Sequence, residues 1–135
     1  MRILIDTNVI LDVFMRREPF FYDSYQAMRT AAEQDYDCFL SASAATDIFY
    51  ILRKHLKSPA EAKARLRDLS QLVRFADVRP EDIDAALNAD MPDFEDAVVD
   101  AVAIRIGADY ILTRNTKDFT GALTNAIAPA DFNLL

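Results

Sequence analysis

Short apolar runs alternate along the chain with longer segments in which apolar residues recur every three or four positions. The short runs at residues 3–5, 38–40, 110–113 and 126–128 predict β-strands, and residues 73–78 resemble an edge strand. The intervening segments have the spacing of amphipathic helices. Strands that alternate with helices predict an α/β domain, a three-layer α/β/α sandwich with a mainly parallel central sheet.

Capping residues and prolines set the expected boundaries of the first two helices. The first starts at Thr7 or Asn8, directly after the first strand, and the second runs from Pro19 towards Glu33. The inward side chains of the second helix are expected to be Phe20, Tyr25, Met28, Ala31 and Ala32.

The later helices are bounded in the same way. Ser41 or Ser43 caps a helix that ends near residues 58–59, and Pro59, Pro80 and Asp93 each open another. The helix from Asp93 stops at Gly107, because glycine ends helices readily. The expected buried residues are Ile48, Ile51 and Leu52 in the first of these helices and Leu66, Leu69 and Leu72 in the second.

The composition fits one domain over residues 1–135. Hydrophobic residues make up 52% of the chain, enough for one sizeable core, and 2 glycines and 5 prolines leave little room for linkers. No apolar run approaches the roughly 18 residues of a membrane span, and the first residues predict a strand rather than a signal peptide. We therefore expect a cytoplasmic location.

Charge and rare residues exclude several kinds of site. The formal net charge of −7 argues against a general basic footprint for duplex DNA. Cys38 is the only cysteine, which excludes an intramolecular disulfide and a thiol-rich metal site. His55 is the only histidine, which excludes metal sites and catalytic groups that need several imidazoles.

Asp6 directly follows the first apolar strand. Because α/β proteins build their active sites at the carboxyl ends of strands, this position favours a functional carboxylate. The alternative is that Asp6 only caps the helix that begins at Thr7 or Asn8.

Three carboxylates recur along the helix that begins at Asp93. A rotation of about 100° per residue puts Asp93, Asp96 and Asp100 in one narrow stripe of an otherwise apolar helix. Buried carboxylates repel one another unless a cation neutralises them, and oxygen ligands suit Mg²⁺ or Mn²⁺. The alternative is that Asp93 is the N-cap, Asp96 favours the helix dipole and Asp100 pairs with a basic residue.

Two further polar segments are weaker signals. Asp47 shares one side of its helix with Ser43 and Lys54, so alone it fits an ordinary solvated position. Residues 113–118 follow directly on a strand and offer a hydroxyl, an amide, a carboxylate and two cations. A plain polar loop is the alternative for that segment.

These residues fall in four segments: Ile-Asp-Thr-Asn at 5–8, Ala-Thr-Asp-Ile at 45–48, Asp-Phe-Glu-Asp-Ala at 93–97 and Thr-Arg-Asn-Thr-Lys-Asp-Phe at 113–119. In this order they resemble the PIN domain, specifically the toxin-like ribonucleases of bacterial toxin–antitoxin systems, over nearly the whole chain. The resemblance implies a parallel sheet flanked by helices, with an acidic pocket that binds Mg²⁺ or Mn²⁺ and cuts single-stranded RNA.

The resemblance also implies roles for individual residues. Asp6 matches the first acid of the family and Asp96 the third, whereas Asp47 stands where many members carry Glu. These three would anchor one or two divalent ions that activate water for in-line displacement. Asn115 occupies the fourth position, which is acidic in some members, with Asp118 as another candidate. The expected metal ligands are Asp6, Asp47, Asp93, Asp96, Asp100 and Asp118, and the expected hydrogen-bonding residues beside them are Thr7, Asn8, Thr113 and Asn115.

Partners are implied in the same way. Single-stranded RNA would be the substrate, with phosphate contacts expected from Arg53, Lys54, Arg114 and Lys117. Family members are held inactive by an antitoxin protein and often form homodimers. An apolar contact surface could come from Phe20, Phe21, Tyr22 and Tyr25.

Two other functions stay open on the sequence. One is a non-catalytic PIN-like module that binds RNA or a protein partner without cutting. The other is a regulator that accepts a phosphoryl group on one Asp beside Mg²⁺, although the spread of acids over four segments fits it less well.

Overall fold

A five-stranded parallel sheet forms the centre of the molecule. The computed structural model describes all 135 residues. The strands are β1 (Arg2–Ile5), β2 (Asp37–Ser41), β3 (Arg74–Ala76), β4 (Tyr110–Leu112) and β5 (Ala126–Ile127). Their spatial order is β3-β2-β1-β4-β5, and every neighbouring pair is parallel. The predicted α/β class with a mainly parallel sheet is confirmed.

Seven α-helices connect and cover the strands. They are α1 (Thr7–Phe14), α2 (Phe21–Glu33), α3 (Ala42–Leu56), α4 (Pro59–Leu69), α5 (Pro80–Leu87), α6 (Phe94–Ile106) and α7 (Pro129–Phe132). A short 3-10 helix spans Thr116–Phe119. None of the helices has the length and apolar character needed to span a membrane.

The helix boundaries follow local capping chemistry. The side chains of Asp6, Ser58 and Asp93 each accept a hydrogen bond from a backbone N–H in the first turn of the helix that follows. Gly107 ends α6 with a φ of 71°, a left-handed conformation that suits glycine. One predicted boundary is wrong, because α2 begins at Phe21 and Pro19 lies in the preceding turn.

The side chains of β1 separate the two layers of helices. Ile3 and Ile5 point into a core shared with α1 to α4 and α7, whereas Leu4 points to the opposite face. That second core contains residues of α5 and α6, such as Ala86 and Val102. Both faces of the sheet are therefore covered, as the near-continuous apolar strands predict.

The inward face of α2 differs from the predicted one. Ser24, Ala27 and Ala31 are buried, while Phe20 and Tyr25 are 39% and 43% exposed. Small side chains let α2 pack against α1, and the Ser24 hydroxyl donates a 3.2 Å hydrogen bond to the Asp12 carboxylate. The larger aromatic side chains consequently lie outside. The exposed residues that the pattern had placed inside are Phe20, Tyr25, Ala32, Ile51 and Leu72.

Asp12 is a completely buried carboxylate on α1. Two guanidinium groups neutralise it: Arg17 Nε lies 3.1 Å from Oδ1, and Arg114 donates through Nε at 2.7 Å and Nη2 at 3.1 Å. The Phe20 ring covers the Arg114 guanidinium at 4.0 Å from its centroid. This ion cluster joins α1 and α2 to the segment that follows β4.

A second ion cluster fixes α5 against α6. Arg105 on α6 donates two hydrogen bonds to Asp82, at 2.9 Å from Nη2 and 3.1 Å from Nε, and it also contacts Asp77. Although burial opposes ionisation, the hydrogen bonds from Arg105 and from the Arg79 backbone lower the pKa of Asp82. Asp82 therefore stays charged and locks the two helices together.

Removing the Asp12 carboxylate should be costly. We expect Asp12→Ala to lower the free energy of unfolding by about 3–5 kcal/mol, because it leaves two guanidiniums beside a buried void without their counter-charge. Urea unfolding measures this loss. The control Glu33→Ala breaks the exposed Arg29–Glu33 pair and should leave the free energy of unfolding almost unchanged, because water screens this pair. Equally small losses in both variants would contradict the role assigned to Asp12.

Candidate functional site

The strand order creates a switch point at the carboxyl edge of the sheet. The chain runs from β1 to β2 and β3 on one side, then crosses over to β4 on the other side of β1. Ligands of open α/β sheets bind in the crevice at such a point. Asp6 follows β1 and Thr113 follows β4, so both residues lie at this crevice.

Asp6 is held in place by three hydrogen-bond donors. Its Oδ2 accepts from Thr113 Oγ1 at 2.9 Å and from Asn8 Nδ2 at 3.1 Å, and its Oδ1 accepts from the Thr7 backbone N–H at 2.8 Å. Burial raises the pKa of Asp6, an effect that the three hydrogen bonds oppose and the charge of Asp118 reinforces. The N-cap alternative is thus also true, because the Thr7 bond caps α1.

The donors around Asp6 are themselves fixed. Asn8 Oδ1 accepts from the Arg114 backbone N–H at 3.2 Å, and the Arg114 guanidinium is bound to Asp12. The orientation of Asn8 therefore depends on the ion cluster beneath it. The prediction of Arg114 as a phosphate contact does not match this placement, since its charge is already paired.

Asp96 lies in the first turn of α6, within reach of the charge of Asp6. Its backbone N–H donates to Asp93 Oδ1 at 2.9 Å, so Asp93 is the N-cap of this helix. Burial raises the pKa of Asp96 to about 7, and the charges of Asp93, Asp6, Asp118 and Glu95 add to the effect. Carboxylates from α1, α6 and the segment after β4 therefore share one electrostatic site.

Glu95 belongs to the same site, although it was not among the predicted ligands. Burial raises the pKa of Glu95, followed by the charges of Asp47, Asp93 and Asp6. The predicted acidic stripe missed Glu95 because it lies about 100° around the helix from Asp96. Glu95 could have been identified from the sequence by its position in the first turn of the predicted helix, because that turn lies at the crevice. The charge of Asp47 on α3 therefore also reaches this site.

Asp100 does not join these acids. It is buried, and its two oxygens accept 3.0 Å hydrogen bonds from the backbone N–H groups of Leu123 and Thr124. This corrects its prediction as a metal ligand, because both oxygens already bind the loop before β5. The expected pairing with a basic residue is also not observed.

The two candidates for the fourth position differ in their surroundings. The charge of Asp118 acts on both Asp6 and Asp96. Asn115 is exposed, and its backbone N–H donates to Thr113 Oγ1 at 3.1 Å. Asp118 is therefore the residue that adds negative charge to the site, while Asn115 supports the Thr113 hydroxyl through its main chain.

The donor set fits a hard divalent cation that keeps water ligands. No group of three His, Cys, Asp or Glu side chains is arranged to hold a metal ion directly. The acids of the site offer only oxygen ligands. Burial, followed by the charges of the neighbouring acids, raises the pKa of Asp96 to about 7, so the site lacks a sufficient counter-charge. Mg²⁺ is commonly bound by one or two carboxylates, with water and substrate phosphate as the other ligands.

A cavity of about 340 Å³ opens beside Asp6. Ser41 and Ser43, which share a 2.8 Å hydrogen bond, line one side of it, and the remaining wall is largely apolar. The wall residues come from α5, α6 and the chain around them: Val78, Ile83, Phe94, Glu95, Val98 and Val99, with Thr7 and Ala44 beside Asp6. We refer to it as the Phe94 cavity.

The fold and site define a class of protein, a parallel α/β domain with carboxylates gathered at the switch point of its sheet. The sequence matches the PIN domain family over residues 2–117, and the chain belongs to this family. Ribonuclease VapC1 of Aquifex aeolicus (strain VF5) is 26% identical over 126 aligned residues, which cover 87% of this chain and 83% of that protein. The family resemblance predicted from the sequence is confirmed.

Two solved structures have the same fold. One is VapBC2 from Rickettsia felis bound to a DNA fragment from their promoter, with a TM-score of 0.74 at 14% identity over 95% of this chain and 98% of that chain. The other is FitAB bound to the IR36 DNA fragment, with a TM-score of 0.71 at 20% identity over 95% of both chains. Their similarity supports the three-layer arrangement.

The raised pKa of Asp96 predicts a pH-dependent loss of stability. The folded protein without added metal binds the Asp96 proton more tightly than the unfolded chain, so this group favours folding below about pH 4 and ceases to do so as the pH rises through about 7. We expect Asp96→Asn to raise the free energy of unfolding at pH 8 by about 1 kcal/mol, because water screens the repulsion that it removes.

Urea unfolding at pH 4 and pH 8 in EDTA measures this effect. The control Asp84→Asn removes an exposed carboxylate on α5. It should change the free energy of unfolding by the same small amount at pH 4 and at pH 8. If Asp96→Asn is no more stable than the native protein at pH 8, the neighbouring acids do not destabilise the ionised form of Asp96.

Proposed function

We propose that this protein is a divalent-metal-dependent endoribonuclease that cuts single-stranded RNA, as the toxin of a toxin–antitoxin pair. The observation that carries the proposal is the gathering of carboxylates at the switch point. Burial, together with the charges of these neighbouring acids, raises the pKa of Asp96 to about 7. The relative named as a ribonuclease lends support, as do the VapBC2 and FitAB neighbours.

The proposed cation ligands are Asp6 and Asp96, with Asp47 and Asp118 at the margin of the site. A bound Mg²⁺ or Mn²⁺ supplies Lewis-acid activation of water and neutralises the phosphate charge during in-line displacement. Asp6 keeps a fixed orientation because Thr113, Asn8 and the Thr7 backbone bind its oxygens. Asp96 would hold the cation in its ionised form, which its pKa of about 7 leaves accessible near neutral pH.

The net charge of the chain makes RNA affinity depend on the cation. At −7 the protein repels a polyanion, and local neutralisation matters most because charges are screened over roughly 8 Å at physiological salt. Lys117 and Lys54 remain candidates for phosphate contacts. Both are exposed, and neither belongs to a salt bridge.

Cleavage of a mixed single-stranded RNA pool tests the proposal. With Mg²⁺ or Mn²⁺ the native protein should cut, and EDTA should stop it. Asp6→Asn and Asp96→Asn should each lose at least about 100-fold in rate, because each removes a proposed cation ligand. The matched control Asp84→Asn should cut at the native rate.

Other outcomes distinguish the alternatives. Retained RNA binding without cleavage under either metal would indicate a non-catalytic PIN-like module, a function favoured by the lack of three acids arranged to hold one ion. Cleavage that persists in EDTA and in both variants would indicate a contaminant or another chemistry.

We also propose that α2 forms a contact surface for a second copy of this chain. Tyr22 and Tyr25 are 68% and 43% exposed, and the Tyr25 ring stacks on Phe21 at a centroid distance of 5.7 Å. Exposed aromatic residues of this kind are typical of protein interfaces.

Light scattering on a sizing column tests this surface. Tyr22→Glu should convert a dimer to a monomer, because it puts a charge in the centre of the aromatic surface. Leu123→Glu, at a side chain 84% exposed elsewhere on the domain, should leave the dimer intact. A native protein that is monomeric at high concentration would overturn the proposal.

A further inference from the structure

We propose that the Phe94 cavity binds one unpaired nucleobase of the RNA strand, next to the phosphate held at Asp6 and Asp96. This inference rests on the proposed function and adds where the substrate is recognised. It starts from the position of the cavity, whose wall includes Asp6 itself and Glu95. A strand whose phosphate reaches these acids brings the adjoining base to the cavity mouth.

The negative charge of the cavity wall favours binding of the uncharged base of a nucleotide over binding of its phosphate. Asp6 and Glu95 are the only ionisable residues that line the cavity, and no Lys or Arg is among them. A phosphate would be repelled, whereas a base is uncharged and has apolar faces. The volume of about 340 Å³ lies at the lower end for ligand cavities, which suits one base with part of its sugar.

Phe94 offers a face on which a base can stack. Its side chain is 48% exposed at the cavity, although the next apolar residues of α6, Ala97 and Val98, are buried. Stacking of a base on an aromatic side chain contributes about 1–3 kcal/mol and tolerates any base. Ile83 and Val99 supply apolar contacts beside it.

The polar groups of the wall give a preference among bases. A carboxylate only accepts hydrogen bonds, so Glu95 favours bases that carry an exocyclic amino group. It disfavours uracil, because the single N3–H donor of that base lies between two carbonyl oxygens that a carboxylate repels. The hydroxyls of Ser41 and Ser43 bond to each other at 2.8 Å, and each retains capacity for a further partner. We therefore expect adenine, cytosine or guanine at this position.

A binding cycle between protein and RNA variants tests the inference without relying on cleavage. The protein keeps Asp6 and Asp96, and Ca²⁺, a hard cation that also prefers oxygen ligands, replaces Mg²⁺ so that bound RNA stays uncut. The probes are fluorescein-labelled eight-nucleotide RNAs, one complete and eight with an abasic ribose at each position in turn, and anisotropy measures affinity. Adding Phe94→Ala should weaken binding of the complete RNA about 5- to 100-fold.

The decisive result is whether the loss of affinity from removing one base and the loss from removing the Phe94 ring are additive. At one abasic position, binding should already be weak, and Phe94→Ala should weaken it no further, because the base and the ring are partners. Val99→Phe, which fills the cavity, should reproduce the loss, and Phe94→Tyr should retain affinity. The matched control is Ile104→Ala, also 48% exposed on α6 but outside this cavity, which should bind as the parent protein does.

Each outcome separates this inference from the proposed nuclease activity. If the native protein cuts RNA but Phe94→Ala weakens binding of all nine RNAs equally, the proposed base site is wrong and the proposed nuclease activity stands. If Phe94→Ala and one abasic position show the expected coupling but the native protein never cuts RNA, the base site stands and the proposed nuclease activity is wrong. Failure of every RNA to bind would overturn both. A Glu95→Gln variant that discriminates against uracil as the parent does would overturn the base preference.

Discussion

The buried pairing of Asp12 with Arg17 and Arg114 is the interaction on which the arrangement of this domain depends. A carboxylate without solvent contact is tolerated only with close counter-charges, so α1 and the segment after β4 must stay in register with each other. That register places the Arg114 backbone N–H on Asn8, and Asn8 in turn on Asp6. The position of an acid at the crevice is thus set by an ion pair beneath it.

The acidic site opposes the stability of the fold that carries it. Burial and repulsion make the ionised state of Asp96 unfavourable without a cation, while the donors around Asp6 support its charge. The hydrogen bonds of Asp6 partly offset the burial that raises its pKa, whereas Asp96 has the higher pKa of about 7. The apolar wall of the Phe94 cavity lies beside these acids. The crevice therefore has an acidic part suited to charged groups and an apolar part suited to flat neutral groups.

Much of the fold could be predicted from residue patterns, because strands buried on both faces are continuous apolar runs and helix ends carry local caps. The acids Asp6, Asp93 and Asp96 could be selected as candidates for the same reason, since strand ends and helix starts are visible in the sequence. The inward face of α2 was wrong because Ser24 bonds to Asp12, a long-range polar contact that periodicity does not detect. Asp100 and Glu95 were misjudged because their surroundings depend on which loops lie opposite α6.

The central position of β1 has a consequence for the synthesis of the chain. The first strand to be made becomes the middle of the sheet, and Asp6 obtains its Thr113 donor from a residue 107 positions later. A ribosome-bound chain that has not yet released β4 has the acid without its partner, and a domain of this kind folds as a unit. The crevice therefore assembles only after β4 has left the ribosome, long after Asp6 itself has been made.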